Sequence, residues 1–483
     1  MNRDLSKSKL LAWRQCPKRL WLELCRPDLR EDTPATEANF ETGNEVGDVA
    51  RRVFDPEGKG LLIDVMTEGV QEALLRSAEA LNGKPKRPVF EAGFTAHGVR
   101  AFADVMVPVP KTRRRAWHMI EVKSAASVKD YHRDDVAIQA FVAREAGVPL
   151  ERVFLARIDS KWTYPGGGKY EGLFAIEDLT DEASARKEEV RDWIGEAKKI
   201  AARKRAPRIE TGAHCSSPYS CGFLDYCRKK EKEAEYPIAW LPAGGKLETK
   251  GYADLREVPN DMLNERQRMV KNQTLKGTAF FNAAAAAKEL APYKAPLHFL
   301  DFETVQFAVP IWKGTRPYQQ IPFQFSVHSM SRSGETTHRE FLDLSGKDPS
   351  KPFAEALLAA CGKKGAIFTY NAAFERGRIS YLASRFPRLK EPLLALNERL
   401  VDLLPIARDN YYHPDQRGSW SIKRVLPAIA PDLGYEALDG IQDGNMAMTA
   451  YREAIHEETV PGRKAEIEKQ LLAYCKLDTL ALV

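Results

Sequence analysis

No run of apolar residues in this chain is long enough to cross a bilayer, because charged side chains, 29% of the total, interrupt every stretch. A membrane-spanning protein is therefore not expected. The opening residues, MNRDLSKSKLLAWRQC, are charged throughout and lack the apolar core and small-residue cleavage site of a secretory signal, so a cytoplasmic protein is expected. There is no Walker-type phosphate loop, and any ATP-driven unwinding would need a helicase partner. No base-stacking motif of the RRM or KH kind is visible. Cysteine is scarce, seven in 483 residues, and an odd number in a reducing compartment does not read as a disulfide framework. The net charge of +6 is too mild to mark a polyanion binder by itself, although residues 111–115 and 198–208 are locally basic.

The length allows two to four domains, each able to bury its own core, and a hydrophobic fraction of 43% fits globular α/β structure. Helical spacing of Leu10, Leu11, Trp13, Leu20, Trp21 and Leu24 predicts one amphipathic helix over 1–30, broken at Pro27. An α/β segment follows, with a helix over 70–81, strands near 90–94, 99–107 and 116–123, and a helix over 134–145. Further strands are expected near 152–157 and 170–176, then a long charged helix over 181–203. A second α/β unit opens with strands near 297–303, 324–328, 340–344 and 366–370. The pattern divides the chain into residues 1–235, a helical connector 236–295, and residues 296–483.

Two carboxylate constellations carry the chemistry. In the first, residues two apart on a strand share a face, so Glu121 and Lys123 point the same way, and Asp104 sits in its own apolar run. If those strands pair, two carboxylates and an ammonium converge. Such a set can hold Mg²⁺ or Mn²⁺ and position a water for attack on a phosphodiester. These residues resemble the PD-(D/E)xK core of the RecB-type exonucleases, a restriction-endonuclease-like fold. The resemblance implies Asp104 and Glu121 as metal ligands, Lys123 as the catalytic lysine, and Gln139 as the glutamine of the following motif. Many of these nucleases add a histidine from an earlier helix. Residues 43–48 offer none, and Glu45 or Asp48 could substitute.

Cys215, Cys221 and Cys227 are spaced six apart, unlike the tighter pairs of zinc knuckles. With Cys16 they make four thiolates, the number a [4Fe-4S] cluster needs. One early and three late cysteines resemble the iron-sulfur staple of RecB-type nucleases. Cys25, Cys361 and Cys475 read as core residues, the last adjoining the second constellation.

That second constellation begins in an apolar strand, Leu297-His298-Phe299-Leu300-Asp301-Phe302-Glu303, whose two acids share a face. Asn371-Ala372-Ala373-Phe374-Glu375 follows, and Tyr474 and Asp478, four apart, stack on one helix face. The ordered set resembles the RNase-H-like DEDD exonucleases of the DnaQ type, in which four carboxylates hold two metal ions. Glutamate stands at 375 where that pattern has aspartate, and Asp402 could compensate. Val401-Asp402-Leu403-Leu404 and Ser419-Trp420-Ser421-Ile422-Lys423 extend the likeness. The chain ends five residues after Asp478, before that helix is expected to finish. Taken together, the chain resembles a bacterial group in which a RecB-like nuclease is fused to an RNase-H-like module (domain of unknown function 2779). The resemblance implies a metal-dependent nuclease acting on DNA, exonucleolytic, in repair, recombination or defence. The alternatives are a nucleic-acid-binding scaffold with degenerate sites and an RNA-processing 3′–5′ exonuclease.

Overall fold

The computed structural model describes residues 5–84, 86–110, 116–232 and 234–483; the basic run 111–115 lies outside the described residues. The chain is a mixed α/β, multidomain protein of two units, Met1–Lys232 with Phe307–Tyr318, and Glu233–Gln306 with Gln319–Val483. The segment expected as a connector, 236–295, is thus part of the second unit, and 307–318 is part of the first.

The first unit holds a seven-stranded sheet of β1 (Leu5–Ser6), β2 (Leu61–Leu62), β3 (Val89–Ala96), β4 (Val99–Pro108), β5 (Trp117–Lys123), β6 (Leu150–Ile158) and β7 (Phe174–Asp178). The order is β2-β3-β4-β5-β6-β7, with β1 pairing β4. His97 and Gly98 both have positive φ, the backbone a two-residue hairpin needs to follow the strand twist, and they lock the register of β3 against β4. β5 and β6 are parallel, so a crossover must join them, and the helix Asp130–Glu145 supplies it. Its residues from Asp134 to Ala143 are all buried, packed with Leu10, Trp117, Met119, Val153 and Ile194 into one core.

Two helices differ from the sequence reading. The N-terminal one is broken at Cys16 into Lys7–Gln15 and Pro17–Cys25, because a residue before proline is pushed into extended backbone (Cys16 φ −162°) while Pro17 suits the first helical turn. The charged helix near 181–203 is likewise two, Thr180–Ala185 and Lys187–Ala201.

The second unit carries β8 (Phe280–Phe281), β9 (Leu297–Val305), β10 (Ile321–Met330), β11 (Thr336–Leu342), β12 (Ala366–Thr369), β13 (Leu400–Asp402) and β14 (Tyr411–Tyr412). The main sheet runs β11-β10-β9-β12-β13, antiparallel through the first three, with β12 parallel to β9 and β13 parallel to β12. β9 is therefore central. Helices Ser350–Cys361 and Ala373–Arg385 bury Phe353, Leu357, Ile379 and Leu382 against it. The helix Pro461–Leu480 ends inside the chain, short of the overrun expected from sequence. Among the described residues no helix is long and apolar enough to cross a membrane.

Candidate active sites

In the first unit, Asp104 on β4 lies one step beyond the paired Val105 and Ile120, opposite Glu121 on β5, and accepts the Val122 N–H at 2.6 Å. Both β3 and β4 change their buried face here. Val89 and Ala92 belong to one core cluster, as do Ala103 and Met106, a spacing of three that strict alternation cannot give. Glu91, in the gap on β3, has φ +56°, a left-handed backbone uncommon for glutamate, and the hairpin register puts it across from Asp104. Sequence reading missed Glu91. The signal was present in the two-residue turn, which fixes which residues of β3 and β4 face each other.

Glu121 is 1% exposed and accepts from Lys123 Nζ at 2.6 Å, from Lys7 Nζ at 3.1 Å and from Gln139 Nε2. Asp135, on the same helix as Gln139, forms an ion pair with Lys7 at 3.0 Å and accepts a hydrogen bond from Lys123. Two acids and two lysines thus alternate. Burial, then Asp104 and Asp135, push Glu121 to about 7, while burial pushes Asp104 upward against Lys7 and Lys123. Against their own burial, the acids hold both lysines above the usual ammonium range, and the lysines hold Asp135 below the usual carboxylate range. As placed, both lysines are held in the protonated form, as hydrogen-bond donors. Glu91, Asp104, Lys123, Asp48 and Arg51 line one open cleft. Asp48 pairs with Arg51, and Glu45 lies beside Tyr170.

The four cysteines expected to act together line a single small cavity with Lys18, Arg19 and Phe223. Gln15 ties the N-terminal helix to this loop by donating to the carbonyls of His214 at 2.8 Å and Tyr219 at 2.7 Å. No three of the sulfurs fall within 4.8 Å of one another. Of the other cysteines, Cys361 is core, Cys25 is half-buried, and Cys475 packs its sulfur 4.0 Å from Asp301 Oδ2.

In the second unit, Asp301 and Glu303 from β9 and Asp478 from the helix Pro461–Leu480 bring ligand atoms within 4.8 Å of one another. Tyr474, one turn before Asp478, is 3% exposed, and its phenol helps hold the Asp478 carboxylate down against burial. Burial and the neighbouring acids push Asp301 far upward and Glu303 to about 8. Burial lifts Asp478 to about 6, against bonds from Tyr435 and Tyr474 and the charge of Lys423. Lys423 sits over the Tyr474 ring at 5.0 Å and the Tyr435 ring at 5.4 Å, its Nζ held by the Gln442 carbonyl at 2.7 Å.

Glu375 does not join that close group. It lies in the first turn of the helix Ala373–Arg385, 2% exposed, pushed to about 8 by burial with Asp402 adding to the shift, and its Oε2 has no hydrogen-bond partner. Its charge is nonetheless felt at Asp301. Asp402 is occupied by the backbone. Its Oδ1 accepts the N–H of Leu404, capping the helix Leu403–Asn410, and the N–H of Asn371, both at 2.9 Å. Lys7, Asp135, Tyr435 and Lys423 complete the two constellations, and only Lys423 was singled out from sequence, as part of a motif.

Residues 298–421 match the family model described as a domain of unknown function (DUF2779). No curated protein matches the chain. The matched segment takes in Asp301, Glu303, Glu375 and Asp402, and stops before Lys423, Tyr435, Tyr474 and Asp478.

Proposed function

We propose that this protein is a metal-dependent nuclease that hydrolyses phosphodiester bonds of nucleic acid, DNA in the first instance, with its second unit working as a 3′–5′ exonuclease. The observation that carries the reading is the close group of Asp301, Glu303 and Asp478, together with a buried carboxylate oxygen of Glu375 that has no hydrogen-bond partner among the described residues and whose charge is felt at Asp301. Buried acids this close repel one another, and all are driven toward protonation unless cations neutralise them. The donors are all oxygen, the set that suits Mg²⁺ or Mn²⁺. Bound there, such ions supply an activated water and screen the leaving oxygen. The protein's share is positional: β9 and the helix Pro461–Leu480 fix the acids, and Lys423 and Tyr474 present a cation and a phenol toward an incoming phosphate. The strand order β11-β10-β9-β12-β13, with β9 central and β10 antiparallel to the other four, supports an RNase-H-like assignment for this unit. The β3-β4-β5 meander followed by a helical crossover to β6 supports a PD-(D/E)xK assignment for the other.

In the first unit the cleft face of Asp104 and Glu91 with Lys123 suits a second metal-dependent cut. The pairing of Glu121 and Asp135 with two lysines favours a different reading for that unit, a phosphate-binding surface that holds substrate without cutting. For the four cysteines, which line one small cavity, a [4Fe-4S] cluster fits their number. The test of the whole reading is a panel of end-labelled single- and double-stranded DNA and RNA with Mg²⁺ or Mn²⁺, run on wild type, Asp301→Ala and Lys123→Ala. Products lost in Asp301→Ala and kept in Lys123→Ala support the exonuclease. Wild-type protein that binds these substrates but cuts none replaces it with a scaffold.

A further inference from the structure

We propose that Tyr435 is a positioning residue of the second site, fixing the carboxylate of Asp478 for cation binding; the inference rests on the cation site proposed above. Tyr435 opens a single 3₁₀ turn, Tyr435–Ala437, outside any regular element, and is 6% exposed. Its phenol donates to Asp478 Oδ1, in a buried contact. A phenol has the proton and a carboxylate only acceptor oxygens, so the bond has a fixed direction, from tyrosine to aspartate.

The geometry around it leaves little freedom. The Tyr435 and Tyr474 rings stand 6.2 Å apart, tilted by 57°, and the Lys423 ammonium lies over both. Asp478 is thereby held by Tyr435 from a segment distant in sequence, with the Tyr474 ring packed beside it. A carboxylate that must share a cation with Asp301 and Glu303 has to keep one rotamer while its neighbours repel it. A donor on one oxygen does this and leaves the second oxygen available. Outer partners that orient ligands in this way typically govern metal affinity by about 10–100-fold.

The test is Mn²⁺ binding to the full-length protein, followed by the loss of the free-ion electron paramagnetic resonance signal, with Asp104→Asn present throughout so that the first unit does not contribute. Tyr435→Phe removes only the hydroxyl and is expected to weaken binding at least tenfold. Tyr451→Phe is the control. Tyr451 is fully buried in the same unit and its hydroxyl has no partner, so its loss is expected to leave affinity unchanged. Tyr435→Phe binding within twofold of the parent, while Asp301→Ala abolishes binding, overturns the role of Tyr435 and leaves the cation site standing. Binding that survives Asp301→Ala overturns the cation site itself. Should Tyr435→Phe lose thermal stability, the cycle with Asp478→Asn decides. Non-additive losses support the proposal, and additive ones reject it.

Discussion

The two acidic sites solve the same electrostatic problem in opposite ways. In the first unit Glu121 and Asp135 are neutralised by Lys7 and Lys123, so that part of the site is balanced by the protein alone. In the second, Lys423 acts on Glu303 and Asp478 and Arg378 on Glu375, and Lys423 is itself occupied by a carbonyl and two rings. A site that carries its own counter-ions can stand without metal. One that lacks them stores repulsion that a divalent cation relieves. The second unit is therefore the one whose stability and activity are expected to depend most on metal.

The largest effect that can break this contrast is catalytic. Asp301→Ala is expected to lower Mn²⁺-dependent removal of 3′-terminal nucleotides by at least about 10³-fold, measured on a 3′-labelled strand, with Lys123→Ala unchanged in that product. Equal losses in both variants would show that the sites do not act separately.

Next comes Lys7→Ala, which leaves two buried acids sharing one lysine. A cost of about 3 kcal/mol is expected in denaturant unfolding of the first unit, with partial recovery on adding Mg²⁺ if the cleft then takes a cation. Recovery absent from Lys7→Ala and present in wild type would reverse the comparison.

A smaller effect concerns pH. Glu303 and Glu375 are each raised to about 8, well above an ordinary glutamate. The folded form therefore holds more protons than the unfolded form between about pH 4.5 and 8. That stabilisation is complete below about 4.5 and is lost as pH rises through about 8. In EDTA the second unit is expected to lose roughly 1 kcal/mol or more between pH 6 and 9. Mn²⁺ at 100 times its Kd is expected to restore about 2.7 kcal/mol. Calorimetry at the two pH values with and without Mn²⁺ checks the sign. The smallest expected effect is the stability of Glu375→Gln at pH 6.5, within about 0.5 kcal/mol of wild type. The amide copies the protonated acid already present, so a large loss there would place charge on Glu375 in the resting protein.

What sequence made legible follows from range and period. Asp301 with Glu303, and Tyr474 with Asp478, were readable because each pair is set by the repeat of a single strand or helix. The longer strands of both sheets were readable for the same reason, while β1, β2 and β13, two or three residues each, were not. Lys7 was not, since it reaches Glu121 across 114 residues and sits in a helix whose visible pattern is apolar. Tyr435 was hidden for another reason, lying in a short turn with no period to place it. The left-handed Glu91 and the change of buried face on β3 and β4 run against alternation, so a period-two reading passes over them. For Glu375 the sequence supplied the position, while the structure leaves it outside the close group with its charge still felt at Asp301.

The segment 307–318 sets an order of events during synthesis. Ala308 and Val309 complete a core cluster of the first unit with Val46, Val49, Ile158 and Leu173, and Tyr164 exchanges backbone bonds with Gly314 and Thr315. A fragment ending at Lys232 lacks those partners. At about 5–20 residues per second, a nascent chain waits roughly 4–15 s between Lys232 and Val309 before that cluster can close. By then β9, with Asp301 and Glu303, has already been made. The first unit thus finishes its interior only after the opening strand of the second unit's main sheet exists, and neither unit can be produced whole by cutting the chain at one point.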